Sequence, residues 1–319
     1  MYDELSLSPS TGSIGASTLI THPVRGRGMF DGRMAAASKA AAQTVTDATP
    51  PAHPHGPELP DMSGSYGQYI SSGLYDRRYP RPNRRTLRKM KRCLPPGGRF
   101  LDVGAGTGRY TLPLLQLSGT RCVAHDICPV ARETLAERLR DFVSDDRLVI
   151  RGGDPDDLAA ELPQTFDLAL LAFGVLAHVA RRAERLRLLR AIRTMLRADG
   201  TLILSVPNAK RRFRAEQRDA EPLVREGTLE PGDVLYKRQQ ADGVIRLFYH
   251  LYTLDEVYAD LSEAGFRVAS VGAESLLSER RVVSSRPIGW LDALACQFAP
   301  TTLGYDLLAA AKPQTAGDS

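Results

Sequence analysis

Gly104, Gly106 and Gly108 alternate with Ala105 and Thr107 directly behind the apolar pair Phe100-Leu101 and the acid Asp102. Such a turn carries few Cβ atoms, so a ligand can lie against its backbone N–H groups. A second acid, Asp126, stands about 20 residues further on, the spacing at which a carboxylate accepts hydrogen bonds from ribose hydroxyls. A third, Asp154, follows the next apolar run and Gly152-Gly153. Each feature also has a plainer use. Glycine clusters occur in ordinary turns, Asp126 can cap a helix before Pro129, and Asp154 can be a cap or turn residue before Pro155. As an ordered set they describe a nucleoside site. The dinucleotide fingerprint G-x-G-x-x-G would place its last glycine where Arg109 stands, which argues against an NAD(P)-dependent oxidoreductase. An acceptor oxygen or nitrogen near such a site can need a general base, and His178 and His250 are the candidates. His250 lies in Leu247-Phe248-Tyr249-His250-Leu251-Tyr252, where Tyr249 adds a phenol. A lone histidine is more often structural, which is the competing reading for both. Asn208 is expected to face the same mouth.

These residues need strands that end side by side. Residues 99–103, 121–125, 147–150, 166–173 and 201–206 read as apolar strands, the fourth apolar throughout apart from Asp167, as a parallel strand covered on both faces would be. Helices are predicted between them. One runs from Gly108 to Leu117, with Pro113 implying a kink or late start. A second starts at Pro129 and buries Val130, Leu135, Leu139 and Phe142. A third, 181–197, carries the stripe Leu186, Leu189, Ile192, Met195 and Leu196 and is closed by Gly200 as its cap. Residues 209–250 break the alternation with Lys210, Arg211, Arg212 and Arg214, and leave the carboxyl end of a strand as substrate-recognition insertions do. Thr253-Leu254-Asp255-Glu256 is a capping box, and its helix turns Leu254, Val257, Leu261 and Ala264 inward. Strands at 266–271 and 303–310 follow, with a short helix and loop around Pro287 and Trp290. The expected fold is α/β, with a doubly wound, mostly parallel seven-stranded sheet.

The ordered set Asp-Val-Gly-Ala-Gly-Thr-Gly, Ala-His-Asp, Gly-Gly-Asp and Phe166-Asp167-Leu168-Ala169-Leu170 resembles the class I S-adenosylmethionine (SAM) methyltransferases over residues 66–312. The resemblance implies a Rossmann-like methyltransferase core at 99–313 and SAM as cofactor. It implies that Asp102 orients the ammonium end and that Gly104, Ala105, Gly106 and Gly108 admit the methionine and ribose. Asp126 and Ile127 would hold the ribose, Asp154 would accept from the adenine amino group, and Phe173 and Gly174 would lie beside the methyl donor. Tyr66, Tyr69, Tyr75 and Tyr79 precede the core, within a lid region at 63–98. There Tyr69 or Tyr75 could cap the methionine end, or the tyrosines could simply pack on the core. Tyr249-His250-Leu251-Tyr252 also resembles the branch that esterifies wobble uridines in tRNA. The arginine- and lysine-rich helix at 81–92, with Leu87, Met90 and Leu94 as its apolar stripe, would suit tRNA or be a solvated face. The favoured acceptor is a small or medium-sized organic molecule. A non-catalytic RNA-binding protein on the same scaffold is the reading outside enzymology.

Composition fits this. The chain has 319 residues, 43% hydrophobic and 25% charged, with a net charge of +5. Cys93, Cys122, Cys128 and Cys296 match no zinc or redox spacing, and Cys122 falls on a core strand, so buried thiols and no metal centre are expected. Residues 1–62 are rich in Ser, Gly, Ala, Thr and Pro and read as disordered, with a helical turn or two at 35–42; His53 and His55 have no third ligand nearby. Residues 314–319 read as a frayed tail. No apolar run is long enough for a membrane span, and the acidic opening Met1-Tyr2-Asp3-Glu4 is unlike a secretory signal, so a cytoplasmic protein is expected.

Overall fold

The computed structural model describes residues 58–240 and 243–315. The expectations for residues 1–57 and for the end of the tail lie outside the described residues. Three helices lead: α1 (Met62–Ser71), α2 (Leu74–Arg78) and α3 (Arg84–Cys93). The core follows as β1 (Arg99–Val103), α4 (Thr111–Leu115), β2 (Arg121–His125), α5 (Pro129–Arg138), α6 (Arg140–Ser144), β3 (Leu148–Arg151), α7 (Pro155–Glu161), β4 (Phe166–Leu171), α8 (Arg182–Met195) and β5 (Leu196–Pro207). The insertion is α9 (Arg214–Arg225) and the hairpin β6 (Asp233–Gln240) and β7 (Gly243–His250). Then come α10 (Leu254–Glu263), β8 (Phe266–Ser275), α11 (Glu279–Ser284), α12 (Arg286–Ala295) and β9 (Asp306–Pro313).

Seven strands form one sheet in the order β3-β2-β1-β4-β5-β9-β8, with β9 antiparallel to both its neighbours. The two-residue side-chain period of a strand sorts each strand between two cores. Phe100, Leu168 and Leu170 pack with Met90, Leu114, Leu115 and Leu135 on one face. Leu101, Val103, Ala169 and Leu171 pack with Leu186, Leu189, Ile192, Val257 and Leu261 on the other. β1 pairs with both β2 and β4, so the chain reverses direction across the sheet there. In open α/β sheets that crevice, at the carboxyl ends of the strands, is where ligands bind.

Three local expectations change. α4 spans only Thr111–Leu115, because the glycine turn extends to Tyr110 before helical hydrogen bonding starts. Gly200 does not cap α8, whose last turn passes straight into β5 at Leu196. The β4–β5 register jumps between Phe166 and Leu168, and at the bulge a Cβ on Gly200 would lie 3.0 Å from the Phe166 carbonyl oxygen. Glycine thus eases a close backbone approach there. The stretch around Trp290 is two helices rather than one. The capping box is present, with the Thr253 hydroxyl accepting from the Glu256 N–H and the Glu256 carboxylate accepting from the Thr253 N–H. Cys122, Cys128 and Cys296 are buried free thiols. No helix among the described residues is long and apolar enough to cross a membrane.

Candidate active site

The glycine turn follows β1 and bends back under the end of β2. Gly104 has φ +69°, and a Cβ there would lie 2.5 Å from a Val175 methyl, so no other residue fits without displacing the chain. The turn is pinned by Asp126: its Oδ2 accepts from the Gly106 N–H at 2.8 Å and its Oδ1 from the Cys128 N–H at 2.9 Å. Asp126 thus orders the turn and the start of α5 together, and each oxygen keeps a second lone pair.

A cleft of about 270 Å³ opens over this floor. Asp102, Gly104, Ala105, Gly106, Asp126, Ile127 and Phe173 all line it. Gly108 and Asp154 do not. Gly108 faces the helix layer, where a Cβ would meet Leu135 at 2.6 Å. Asp154 caps α7, accepting from the Asp156 N–H at 2.9 Å, and pairs with Arg187 at 3.0 Å, which is the plainer of its two expected uses. Asp102 is buried, and burial pushes its carboxyl up to about 7 even though the Thr111 hydroxyl donates to it at 2.6 Å. Across the cleft the buried guanidinium of Arg109 stacks 3.7 Å from the Phe173 ring centre, with its Nε and Nη1 lacking acceptors. Phe173 is itself held at φ +62°. Among the described residues the Asp102 carboxylate accepts only from Thr111, and the Arg109 guanidinium has Glu279 4.0 Å away as its ion-pair partner with no hydrogen bond between them. The zwitterionic end of an amino acid offers N–H donors to the first and a carboxylate acceptor to the second.

Beside Phe173 lies a second, smaller chamber of about 30 Å³. Its lining includes Tyr69, Gly174, Arg212, Tyr249 and the acids Glu274, Glu279 and Asp306. Tyr66, Phe173 and His178 line both spaces and form the junction. Gly174 belongs to the chamber, and a Cβ there would lie 2.0 Å from the Tyr249 hydroxyl. At the junction, His178 Nδ1–H donates to the Phe248 carbonyl at 2.8 Å, which leaves the Nε2 lone pair to accept the Tyr66 hydroxyl at 2.7 Å. Burial lowers the His178 pKa to about 4. The ring is neutral at physiological pH, with its basic nitrogen turned toward the junction through Tyr66.

His250 is placed elsewhere. Adjacent strand residues face opposite ways, so Tyr249 enters the chamber and His250 points to the far side of β7. There its Nδ1–H donates to Asp233 at 2.8 Å, and its Nε2 lies 3.3 Å from the Arg185 guanidinium. Both nitrogens are engaged, so His250 is a structural tie between the hairpin and α8. Glu230, Asp233 and His250 bring ligand atoms within 4.8 Å of one another, but Arg185, 2.9 Å from Glu230, fills a cation's place among them. Asn208 is also structural: its Nδ2 donates to the Gly304 carbonyl at 2.7 Å and its Oδ1 accepts from the Lys210 N–H.

Sequence reasoning passed over Arg109, Tyr66 as His178's partner, and the three chamber acids. Only Arg109 left a mark, as the bulky cation in a position that a dinucleotide fingerprint gives to glycine.

No curated protein matches the sequence. Solved structures match it in fold. The CcbJ methyltransferase of Streptomyces caelestis is 16% identical with a TM-score of 0.54, covering 79% of this chain and 98% of its own. A SAM-dependent methyltransferase of Methanosarcina mazei is 17% identical with a TM-score of 0.53, covering 71% and 97%. The 1,6-didemethyltoxoflavin-N1-methyltransferase of Burkholderia thailandensis, with its substrate and S-adenosylhomocysteine (SAH) bound, is 19% identical with a TM-score of 0.50, covering 82% and 94%. At these identities the likeness is one of fold. Residues 75–271 match the family described as "Methyltransferase domain". With that span, the sheet order and the glycine floor in place, the chain belongs to this methyltransferase family and has the class I, SAM-dependent fold that its motifs resemble.

Proposed function

We propose that this methyltransferase acts on an oxygen or nitrogen of a small or medium-sized organic acceptor held at the junction, with part of it reaching into the chamber. The observation that carries the reading is the junction, where Tyr66, Phe173 and His178 belong at once to the cleft and to the chamber. When bound, SAM supplies a methyl carbon activated by a positively charged sulfur. The chain's own residues do the rest. Asp102 and Arg109 hold the ammonium and carboxylate of the methionine end. Asp126 takes the ribose hydroxyls, and Ile127 lies beside it. Phe173 sets the depth of the junction. Tyr66 meets the acceptor's O–H or N–H and passes a proton to His178 Nε2. Enclosure by α1, α2 and the β6–β7 hairpin excludes water, and held orientation can supply about 7–11 kcal/mol of the acceleration.

A chamber of about 30 Å³ favours a small acceptor over tRNA, and the residues that suggested the wobble-uridine branch are buried. The test is methyl-labelled SAM incubated with cell extract and split into RNA and metabolite fractions. The label is expected in the metabolite fraction; label confined to RNA would sink the reading. A narrower check concerns Asp154. Asp154→Ala is expected to cost about 1 kcal/mol of stability through the lost cap and to move SAH affinity by less than about threefold, read by thermal melting and calorimetric titration.

A further inference from the structure

Three acids share the chamber's far wall, and Arg212 and Arg238 line the same space. Ligand oxygens of Glu274, Glu279 and Asp306 lie within 4.8 Å of one another, and all three residues are buried. Asp306 is matched by Arg212 at 2.6 Å. Glu279 has the buried Arg109 guanidinium within ion-pair distance, and the hydrogen-bond partners of Glu274 and Glu279 are neutral. The Thr86 hydroxyl donates to Glu274 at 2.5 Å, and the Asn83 amide donates to Glu279 Oε2 at 3.1 Å. Arg109 comes no nearer to Glu279 Oε1 than 4.0 Å, too far for a hydrogen bond, so that buried oxygen is unpartnered. Burial pushes the Glu279 carboxyl up to about 7 and Glu274 well above its usual range. The hydroxyl of Tyr69, 3% exposed, and Arg212 Nε–H also lack partners around the same space. Buried polar groups in a folded protein are satisfied, so each orphan names a missing atom. Glu279 Oε1 has the charge of Arg109 4.0 Å away but no N–H donor, and Arg212 Nε–H has no acceptor oxygen.

We propose that the chamber binds a positively charged amine of the methyl acceptor, held by Glu279 with Glu274 behind it, and that the acceptor is therefore a small amine whose methylated oxygen or nitrogen lies elsewhere in the molecule. A divalent metal fits less well. It would need Asp306, whose carboxylate already lies against a buried guanidinium, and it would leave Arg212 Nε–H without an acceptor. The chamber's roughly 30 Å³ suits an ammonium-sized head, with the methylated atom left at the junction. This inference rests on the methyltransferase reading and narrows its acceptor.

The test uses the full chain. SAH is first shown to raise the melting temperature; no shift would remove the methyltransferase reading and this inference with it. A small-molecule extract is then passed over a cation exchanger at pH 7, and both fractions are assayed with methyl-labelled SAM. Methyl-accepting activity is expected in the retained fraction. Glu279→Gln and Glu274→Gln are each expected to raise the half-saturating amount of that fraction at least about tenfold, with SAH affinity changed less than threefold. Both variants should melt higher than the parent at pH 8, since each replaces a buried acid by its neutral isostere. Three outcomes overturn the proposal: activity in the flow-through, unchanged half-saturation in both variants, or activity lost to EDTA and restored by magnesium, which would mark the acids as a metal site.

Discussion

Replacing Asp126 with alanine is expected to raise the dissociation constant for SAH at least about 100-fold and to abolish the thermal shift SAH produces. Each hydrogen bond from a ribose hydroxyl to a carboxylate is charge-assisted and contributes about 1.5–3 kcal/mol. Two of them together give a factor of about 100 or more. Alanine also removes the acceptor for the Gly106 and Cys128 N–H groups, so the glycine floor loosens before any ligand arrives. Asp126→Asn separates the two losses. Its amide oxygen can still hold one of those N–H groups, but it lacks the charge, so a smaller loss of about tenfold is expected. Calorimetric titration of SAH into the three proteins measures both. Unchanged affinity in the alanine variant would place the nucleoside somewhere other than over this turn.

The second large effect is expected at the junction. His178→Gln should lower kcat by about 10²–10⁴, the usual range for loss of a general base, while SAH affinity stays within about threefold. Tyr66→Phe should fall in the same direction by a smaller factor, because an acceptor proton could then reach Nε2 without the relay. The pH profile carries its own signature. Burial holds His178 near 4 while an unfolded histidine titrates near 6.5. Between those values the unfolded chain binds more protons than the native one, so stability falls as the pH is lowered from about 6.5 to about 4. The catalytic nitrogen stays unprotonated over the same window. The acid limb of kcat should therefore lie below pH 5, and the His178 ring resonances should hold constant from pH 8 to 5.5. A limb at 6.5 would show an exposed imidazole and a different base.

The parts that sequence made legible are those enforced by local backbone geometry. Gly104 takes a positive φ of 69°, a local backbone need that leaves a glycine in the chain, and the tertiary contact with Val175 adds to it. The five parallel strands were legible because a buried parallel strand tolerates almost no polar side chain, whereas the β6–β7 hairpin, inside the charged insertion, was not. What escaped was made by assembly. Glu274 ends β8, Glu279 opens α11 and Asp306 begins β9, and only the antiparallel pairing of β8 with β9 brings them together. His250 drew attention because polar and aromatic residues mix around it. The two-residue period of β7 then divides the pair, giving Tyr249 to the chamber and His250 to Asp233 and Arg185. Asp154 shows the opposite difficulty. An acid before Pro155 satisfies a helix start as well as a ligand, and spacing alone cannot separate the two.

The family match begins at residue 75, yet Tyr66 and Tyr69 sit upstream of it on α1, which is fastened to the hairpin by the Ser65 hydroxyl donating to the Arg246 carbonyl at 2.7 Å. α1 thus lies outside the span that matches the family, while the glycine floor and the hairpin that α1 is fastened to lie inside it. On the proposed function, substitutions on α1 are free to alter the acceptor without touching the glycine floor.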